Sequence, residues 1–313
     1  MRRTDSRLRA LDVGDVVTSS RLTKSGALLL FGFVIVAWGL NWTVTKLIVT
    51  QVTPLWTTAI RTGIGALALF ALLAASKQFR IPKRGDVPVV LAISLFHMVA
   101  FAALMTTGLK YVPVGRSIVL GYTTPLWVAP AAWLLLKEDL SARQLVGIMI
   151  GLTGLAVMFN PSAFDWTNRD AVLGNGLLLL SALAWSVSIL YTRAHHWIAT
   201  PFQLVFWQAL LATILLTILA LVIEGELDIV WSSTLIMWFA YSGLVGTALG
   251  FWAMTVVGRS IPATTTSLGI LATPVVGIAS SVAFLGEQVD QALLIAATMI
   301  IVGIGIGTFS RSS

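Results

Sequence analysis

The sequence has no cysteine among its 313 residues, and only 11% of its residues are charged. Without cysteine the protein has no thiolate nucleophile, no disulfide and no cysteine-ligated metal, while the redox compartment stays undetermined. Soluble proteins carry about 25% charged residues, so this chain has too few for an ordinary soluble fold. Instead, 57% of the residues are hydrophobic and the mean hydropathy is +0.91. This is the composition of a membrane protein.

Catalytic motifs are also missing. The sequence has no HExxH, no GxSxG, no Walker or glycine-rich nucleotide loop, and no paired aspartates within a hydrophobic segment. His195 and His196 are adjacent without a third ligand nearby, and neighbouring side chains on a helix point in different directions. We therefore predict no enzyme activity, no metal and no cofactor. A membrane-embedded enzyme and a receptor are the alternatives from other classes.

Hydrophobic segments recur almost without pause from Ser25 onward. A helix needs about 20 apolar residues to cross roughly 30 Å of hydrocarbon. Windows bounded by charge, proline and glycine predict an all-α protein with ten transmembrane helices, at 26–48, 55–76, 87–109, 113–136, 141–159, 172–193, 202–223, 232–257, 262–285 and 290–309. Residues 1–24 mix basic and acidic side chains without an apolar run, which predicts a flexible cytoplasmic tail.

Basic residues are distributed unevenly over the connections between these spans. With the N-terminus inside, the even-numbered connections hold most of the Lys and Arg, whereas the odd-numbered ones collect acids such as Asp165, Glu224 and Glu287. Because basic loops stay on the cytoplasmic side, both termini are predicted to be cytoplasmic and the protein to lie in the cell's inner membrane. The net charge of +7 then encodes orientation and no nucleic-acid partner. The predicted partners are membrane lipid and a small-molecule substrate, with a monomer or weak oligomer.

The two halves of the chain show a weak but ordered similarity. At an offset of 147, Trp38, Lys46 and Pro54 match Trp185, Arg193 and Pro201; at an offset of 149, Pro125 and Glu138 match Pro274 and Glu287. Five spans in each half would make these repeats inverted, around a central cavity. The sequence therefore predicts a first five-helix repeat at 25–160, an extracytoplasmic linker at 161–171 and a second repeat at 172–310.

The same segments resemble the EamA-type transporters of the drug/metabolite transporter superfamily, over about residues 28–309. The resemblance rests on Trp38-Gly39-Leu40-Asn41-Trp42, on Lys137-Glu138 with the glycines of 147–154, and on Gly286-Glu287 with the glycines of 303–307. It implies a ten-helix bundle whose cavity is lined largely by spans 1, 3, 4, 6, 8 and 9. The abundant tryptophan resembles exporters of aromatic and other amino acids. We expect amino-acid export by alternating access, with broad-specificity drug or metabolite efflux as the alternative.

The first and third spans supply the sharpest candidates for substrate binding. Trp38, Asn41 and Trp42 are spaced three or four residues apart and share a helical face. The Asn41 amide suits either a zwitterion or a neighbouring helix. His97 lies near the middle of span 3 with Phe101 one turn onward, and an intramembrane histidine is either functional or bonded to a neighbouring helix.

Further candidates come from spans 4, 6, 8 and 9. Aromatic rings offer flat contact areas for side chains or ammonium groups, although most membrane aromatics face lipid or core. The predicted lining is completed by Tyr122, Trp185, Ser188, Tyr241, Trp252 and Thr266.

Prolines and charges inside the spans suggest mechanical roles. Pro125 and Pro274 occupy matched positions and are predicted to bend their helices as hinges or gates. Lys46 and Arg61 are expected to anchor at the interface by snorkelling, or alternatively to form an electropositive outer vestibule. No Asp or Glu falls centrally in a predicted span, which favours facilitated export or exchange.

Overall fold

The computed structural model describes residues 23–160, 164–261, 265–266 and 269–309. Most of the predicted N-terminal tail, part of the predicted linker and part of the predicted span 262–285 lie outside these residues. Every regular element in the described ranges is helical.

Ten apolar helices follow one another along the described chain. Seven have the length and hydropathy of a membrane span and three are shorter. In chain order they are α1 (Lys24–Val49), α2 (Pro54–Ala75), α3 (Arg84–Tyr111), α4 (Val114–Leu136), α5 (Ala142–Met158), α6 (Arg169–Ala194), α7 (Pro201–Ile223), α8 (Ser233–Ser260), α9 (Ala272–Leu285) and α10 (Gln291–Phe309). The prediction of an all-helical membrane protein is confirmed.

Irregular geometry recurs at equivalent places in the two halves. The third helix of each half contains a nine-residue π-helical segment, Ile93–Phe101 in α3 and Tyr241–Leu249 in α8. A π segment inserts extra residues into the helical turn, so it changes the face presented by everything after it. Because such segments are rare, their repetition supports the internal repeat more strongly than matched apolar residues do.

The prolines at 125 and 274 lie at the start of regular helical segments. In α4 the backbone breaks at Tyr122 and Thr123, and Pro125 lies in the first turn of the segment Thr124–Leu136. Pro274 likewise lies in the first turn of α9. A first-turn N–H has no intrahelical acceptor, so proline leaves no hydrogen bond unmade there. The span Val114–Leu136 is thus interrupted directly before Pro125, as predicted for an intramembrane proline, and a hinge role at either proline stays a prediction.

The contacts between the two halves come in matched pairs: the main contacts made by a helix of the first half are repeated by its counterpart in the second half. Helix α1 contacts α8 and α9, and its counterpart α6 contacts α3 and α4; α2 packs on α7, and α5 on α10. This repetition is the pattern of an approximate twofold axis between the halves. Since each half has an odd number of spans, the second half is inverted relative to the first.

Helices α5 and α10 approach each other through glycine. A Cβ atom added at Gly147 would overlap the carbonyl oxygen of Gly303, and one added at Gly303 would overlap that of Gly147. Two turns along, a Cβ at Gly154 would lie 3.0 Å from the carbonyl oxygen of Ala296. Backbone contact of this kind is what small-residue repeats permit in membranes.

Carboxylates hold the helix ends of the opposite half. Glu287 accepts hydrogen bonds from the backbone N–H groups of Val114 (2.7 Å) and Gly115 (3.1 Å) at the start of α4. Glu224 does the same for Leu55 (2.9 Å) and Trp56 (3.1 Å) at the start of α2. Each carboxylate satisfies orphan donors at a helix N-terminus. These bonds fix the ends of one repeat to the other.

Candidate substrate-binding site

A central cavity of about 130 Å³ lies between the two halves. It is formed by helices α1, α2, α3, α4, α6 and α8. Among the described residues, α2 contributes to the lining where the family resemblance implied span 9. Seven of the predicted lining residues meet around it: Trp38, Asn41, Trp42, His97, Phe101, Tyr122 and Trp185.

Aromatic rings form a continuous wall on one side of this cavity. The ring of Trp185 stacks on His97, contacts Phe101 at a centroid distance of 5.0 Å, and meets Tyr122 edge-on at 6.2 Å. Offset and edge-to-face pairs at these distances are favourable ring contacts. Each ring comes from a different turn or helix, so the wall depends on the packing of α3, α4 and α6.

Helix α8 joins this wall to α1. Phe251 lies 6.1 Å from both His97 and Trp38, measured between ring centroids. The Trp38 indole N–H donates to the carbonyl oxygen of Gly246 at 3.1 Å, and the ring packs against Gly250, where an added Cβ would overlap the indole. The indole is therefore fixed in place and presents its flat surface to the cavity.

Two polar groups in the cavity lack partners. Within the described residues, Nε of Arg61 and Oδ1 of Asn41 are buried without a hydrogen bond. No Asp or Glu is among the described residues that line the cavity. A buried donor and a buried acceptor without partners are costly unless a ligand or water satisfies them.

Arg61 is the functional candidate that the sequence misplaced. Its position eight residues into α2 suggested snorkelling to the interface, but the guanidinium points into the bundle and lines the cavity beside Thr62. It lies close enough to His97 to interact with it electrostatically. The direction of a side chain follows from how α2 packs on α7 and α8, which residue depth alone does not reveal.

Lys46 does not snorkel either. Its ammonium group donates to the carbonyl oxygens of Leu109 and of Val112, the latter at 3.2 Å, and so caps the C-terminal end of α3. Together with Glu287, which caps the start of α4, it holds the α3–α4 connection. Within the connection, Val112 is 1% and Val114 0% exposed.

The remaining four predicted residues lie outside the central cavity. Tyr241 donates its hydroxyl to the carbonyl oxygen of Ala37 at 3.1 Å, and Trp252 packs in the apolar cluster between α2, α3 and α7. Thr266 is buried away from the described lining, and Ser188 lines a neighbouring cavity. Sequence reasoning also missed Phe251, which lines the wall in place of Trp252.

That neighbouring cavity, of about 290 Å³, extends the central one toward the opposite end of the bundle. It shares His97, Trp185 and Phe251 with the central cavity and continues to Arg193 and Pro201 at the α6–α7 connection. Arg193 there pairs with Glu138 at 3.4 Å, and the two side chains are 35% and 32% exposed. The lining therefore reaches partly exposed side chains at this end, whereas the valines of the α3–α4 connection at the other end are buried.

The profile of the EamA-like transporter family matches the chain twice, over residues 24–160 and 172–308. Among similar proteins, the uncharacterized transporter YvbV of Bacillus subtilis (strain 168) is 27% identical over 285 residues, covering 91% of this chain and 92% of the relative. A protein of Escherichia coli (strain K12) named as a probable amino-acid metabolite efflux pump is 26% identical over 299 residues, covering 91% and 95%.

A crystal structure shares the fold, with a TM-score of 0.63 at 21% sequence identity, covering 92% of this chain and 98% of that one. The two family matches cover nearly all of the ten-helix bundle. The chain belongs to the EamA-like transporter family and is a multi-pass membrane transporter of the drug/metabolite transporter superfamily.

Proposed function

We propose that this transporter exports small metabolites, foremost amino acids with aromatic or other uncharged side chains, by alternating access. The observation that carries the proposal is the composition of the central cavity. It combines a wall of aromatic rings with one guanidinium and one amide that have no described partners. Rings suit an apolar or aromatic side chain, and the polar pair suits the backbone end of an amino acid.

The relationship to known transporters supports the same substrate class. The E. coli relative that matches over nearly its whole length is named as a probable amino-acid metabolite efflux pump. At 26% identity, the likeness supports transport of the same broad class and leaves the exact solute to experiment.

The difference between the two ends supports alternating access. The α3–α4 connection is held by Lys46 and Glu287, whereas the matched pair Arg193 and Glu138 stands beside an open cavity. We place both termini in the cytoplasm and the protein in the inner membrane, because the basic connections lie at the end of Arg193. The described state is then open to the cytoplasm, where an exporter loads its solute.

Reconstitution into liposomes tests this function. Purified protein is reconstituted, and counterflow of labelled phenylalanine, tryptophan, leucine and other neutral metabolites is measured against protein-free liposomes. We expect saturable counterflow of at least one aromatic amino acid. A complete lack of flux over the whole panel would refute the proposal.

Broad-specificity efflux is the second candidate, because an aromatic cavity also accepts planar drugs. Many such compounds are cations, however, and Arg61 places a positive charge in the cavity. Efflux of a cationic dye such as ethidium, at a rate similar to that of phenylalanine, would favour the second candidate over amino-acid export.

A further inference from the structure

We propose that Arg61 binds the substrate carboxylate and Asn41 accepts a hydrogen bond from the substituent on the α-carbon, so that the site takes α-hydroxy acids as well as α-amino acids and rejects the corresponding amines. This inference rests on the proposed function, and it names the chemical features that the site recognises.

The first step is the isolation of Arg61. Its Nε atom is buried and unbonded, and no described residue forms an ion pair with it. A guanidinium held in a membrane interior without a counter-charge needs an anion, and its planar fork matches a carboxylate with two parallel hydrogen bonds. The described lining supplies no Asp or Glu for this purpose, so the carboxylate comes with the solute.

The second step is the nature of Asn41. Its Oδ1 atom is a buried acceptor without a described donor, and it lines the same cavity as Arg61. A neutral amide oxygen can accept from an ammonium N–H or from a hydroxyl O–H, so either substituent can occupy this position. The described lining contains no carboxylate, so no described group stabilises the full positive charge of an ammonium through an ion pair.

Charge balance then ranks the three ligand types. A hydroxy acid neutralises Arg61 completely, whereas a zwitterionic amino acid adds no net charge and leaves the guanidinium's charge in the cavity. An amine adds a second positive charge next to Arg61, which is repulsive at low dielectric. The aromatic wall receives the side chain in all three cases, so the side chain does not discriminate among them.

The test compares three ligands that share one benzyl group: L-phenylalanine, L-3-phenyllactate and phenethylamine. Binding to purified full-length protein is measured as a rise in melting temperature, and transport as counterflow in liposomes. We expect both acids to stabilise the protein and to be transported, and phenethylamine to do neither. Equal stabilisation by phenethylamine, or binding of phenylalanine without any binding of phenyllactate, would overturn the inference.

Variants at Arg61 localise the effect. Arg61→Gln should weaken binding of both acids by about tenfold or more, and Arg61→Lys should retain part of the affinity because it keeps the charge without the planar fork. Arg80→Gln, at an exposed position outside the cavity, removes the same charge and should change nothing. If Arg61→Gln does not fold, the comparison of the two acids with phenethylamine on the wild-type protein still tests whether the site requires a carboxylate.

The outcomes separate this inference from the proposed function. Equal transport of phenylalanine and phenethylamine would support the transport function and refute carboxylate recognition by Arg61. Binding of both acids without flux would support the proposed ligand site and refute the proposed transport function. Absence of both binding and flux for the acids would discard both.

Discussion

His97 and Trp185 stack nearly parallel, with ring centroids 5.2 Å apart and ring planes inclined by 13°. Both residues line the central cavity and the cavity that leads to the α6–α7 connection. The stacked pair thus lies on the boundary between the binding space and the open end of the pathway, and a solute entering from that end passes these rings.

The first prediction concerns this pair. Trp185→Ala removes ring contacts worth about 0.5–1.5 kcal/mol beyond buried area, so we expect affinity for aromatic solutes to fall by about tenfold. Trp185→Phe should retain most of the affinity. Trp133→Ala removes an indole that is 56% exposed on the outside of α4, and it serves as the matched control. Equal affinities for Trp185→Ala and Trp133→Ala would contradict a role of the ring in binding.

The second prediction concerns energy coupling. The described lining of the cavity contains no carboxylate to carry a proton or cation. We therefore expect the initial rate of counterflow to follow the solute gradient and to be unchanged by an imposed pH gradient across the liposome membrane. His97→Gln should behave in the same way. Proton-driven accumulation in the wild type that disappears in His97→Gln would instead identify His97 as the proton carrier.

The third prediction concerns the contact between α5 and α10. Gly303→Leu forces a side chain into the backbone of α5, and overpacking of this kind costs about 1–3 kcal/mol. We expect a lower melting temperature and a smaller yield of folded protein. Gly305→Leu, on the same helix, enters open space because no atom lies within 4 Å of an added Cβ. Similar melting temperatures for the two variants would show that the glycine contact contributes little to stability.

The fourth prediction concerns the closed end. Glu287→Gln leaves one amide oxygen where two carboxylate oxygens now accept from Val114 and Gly115. Losing a charge-assisted bond costs about 1.5–3 kcal/mol, so the α3–α4 end should open about ten- to a hundredfold more often. The absence of cysteine makes this measurable without background, since Met105→Cys places a single thiol in the cavity lining.

Labelling by a membrane-impermeant maleimide, applied from the side of the α3–α4 connection, should be slow in Met105→Cys and faster when Glu287→Gln is added. Glu226→Gln changes an exposed carboxylate at the same end of the bundle and is the control. Unchanged labelling in the Glu287 variant would mean that the seal does not depend on this carboxylate.

The helices could be predicted from sequence because apolar length is a local property. Which side of each helix faces the cavity could not be predicted in the same way. The π segment Tyr241–Leu249 precedes Phe251 and Trp252 in α8, and it shifts the register so that Phe251 faces the cavity. Tyr241 and Trp252 were chosen because aromatic rings suit the substrate, without knowledge of which side of α8 faces the cavity. In α1, which has no such segment, Trp38, Asn41 and Trp42 share a face as their spacing predicts.

Arg61 shows the second limit of sequence reasoning. Its distance from the end of α2 is compatible with snorkelling and with the cavity alike, and only the packing of α2 selects between them. The aromatic wall was easier to predict, because His97 is a titratable group within a span and the rings next to it, Phe101 and Trp185, lie on spans already expected to line the cavity.

The contact of Gly147 with Gly303 also bears on how the protein is made. About 150 residues separate the two glycines, so at synthesis rates of 5–20 residues per second α5 enters the membrane roughly 10 to 30 s before its partner exists. During that interval the glycine face of α5 is covered only by lipid or by an insertion factor. Packing of the first half is completed only once α10 has been made, and a chain that stops before α10 would leave this backbone face exposed to other membrane proteins.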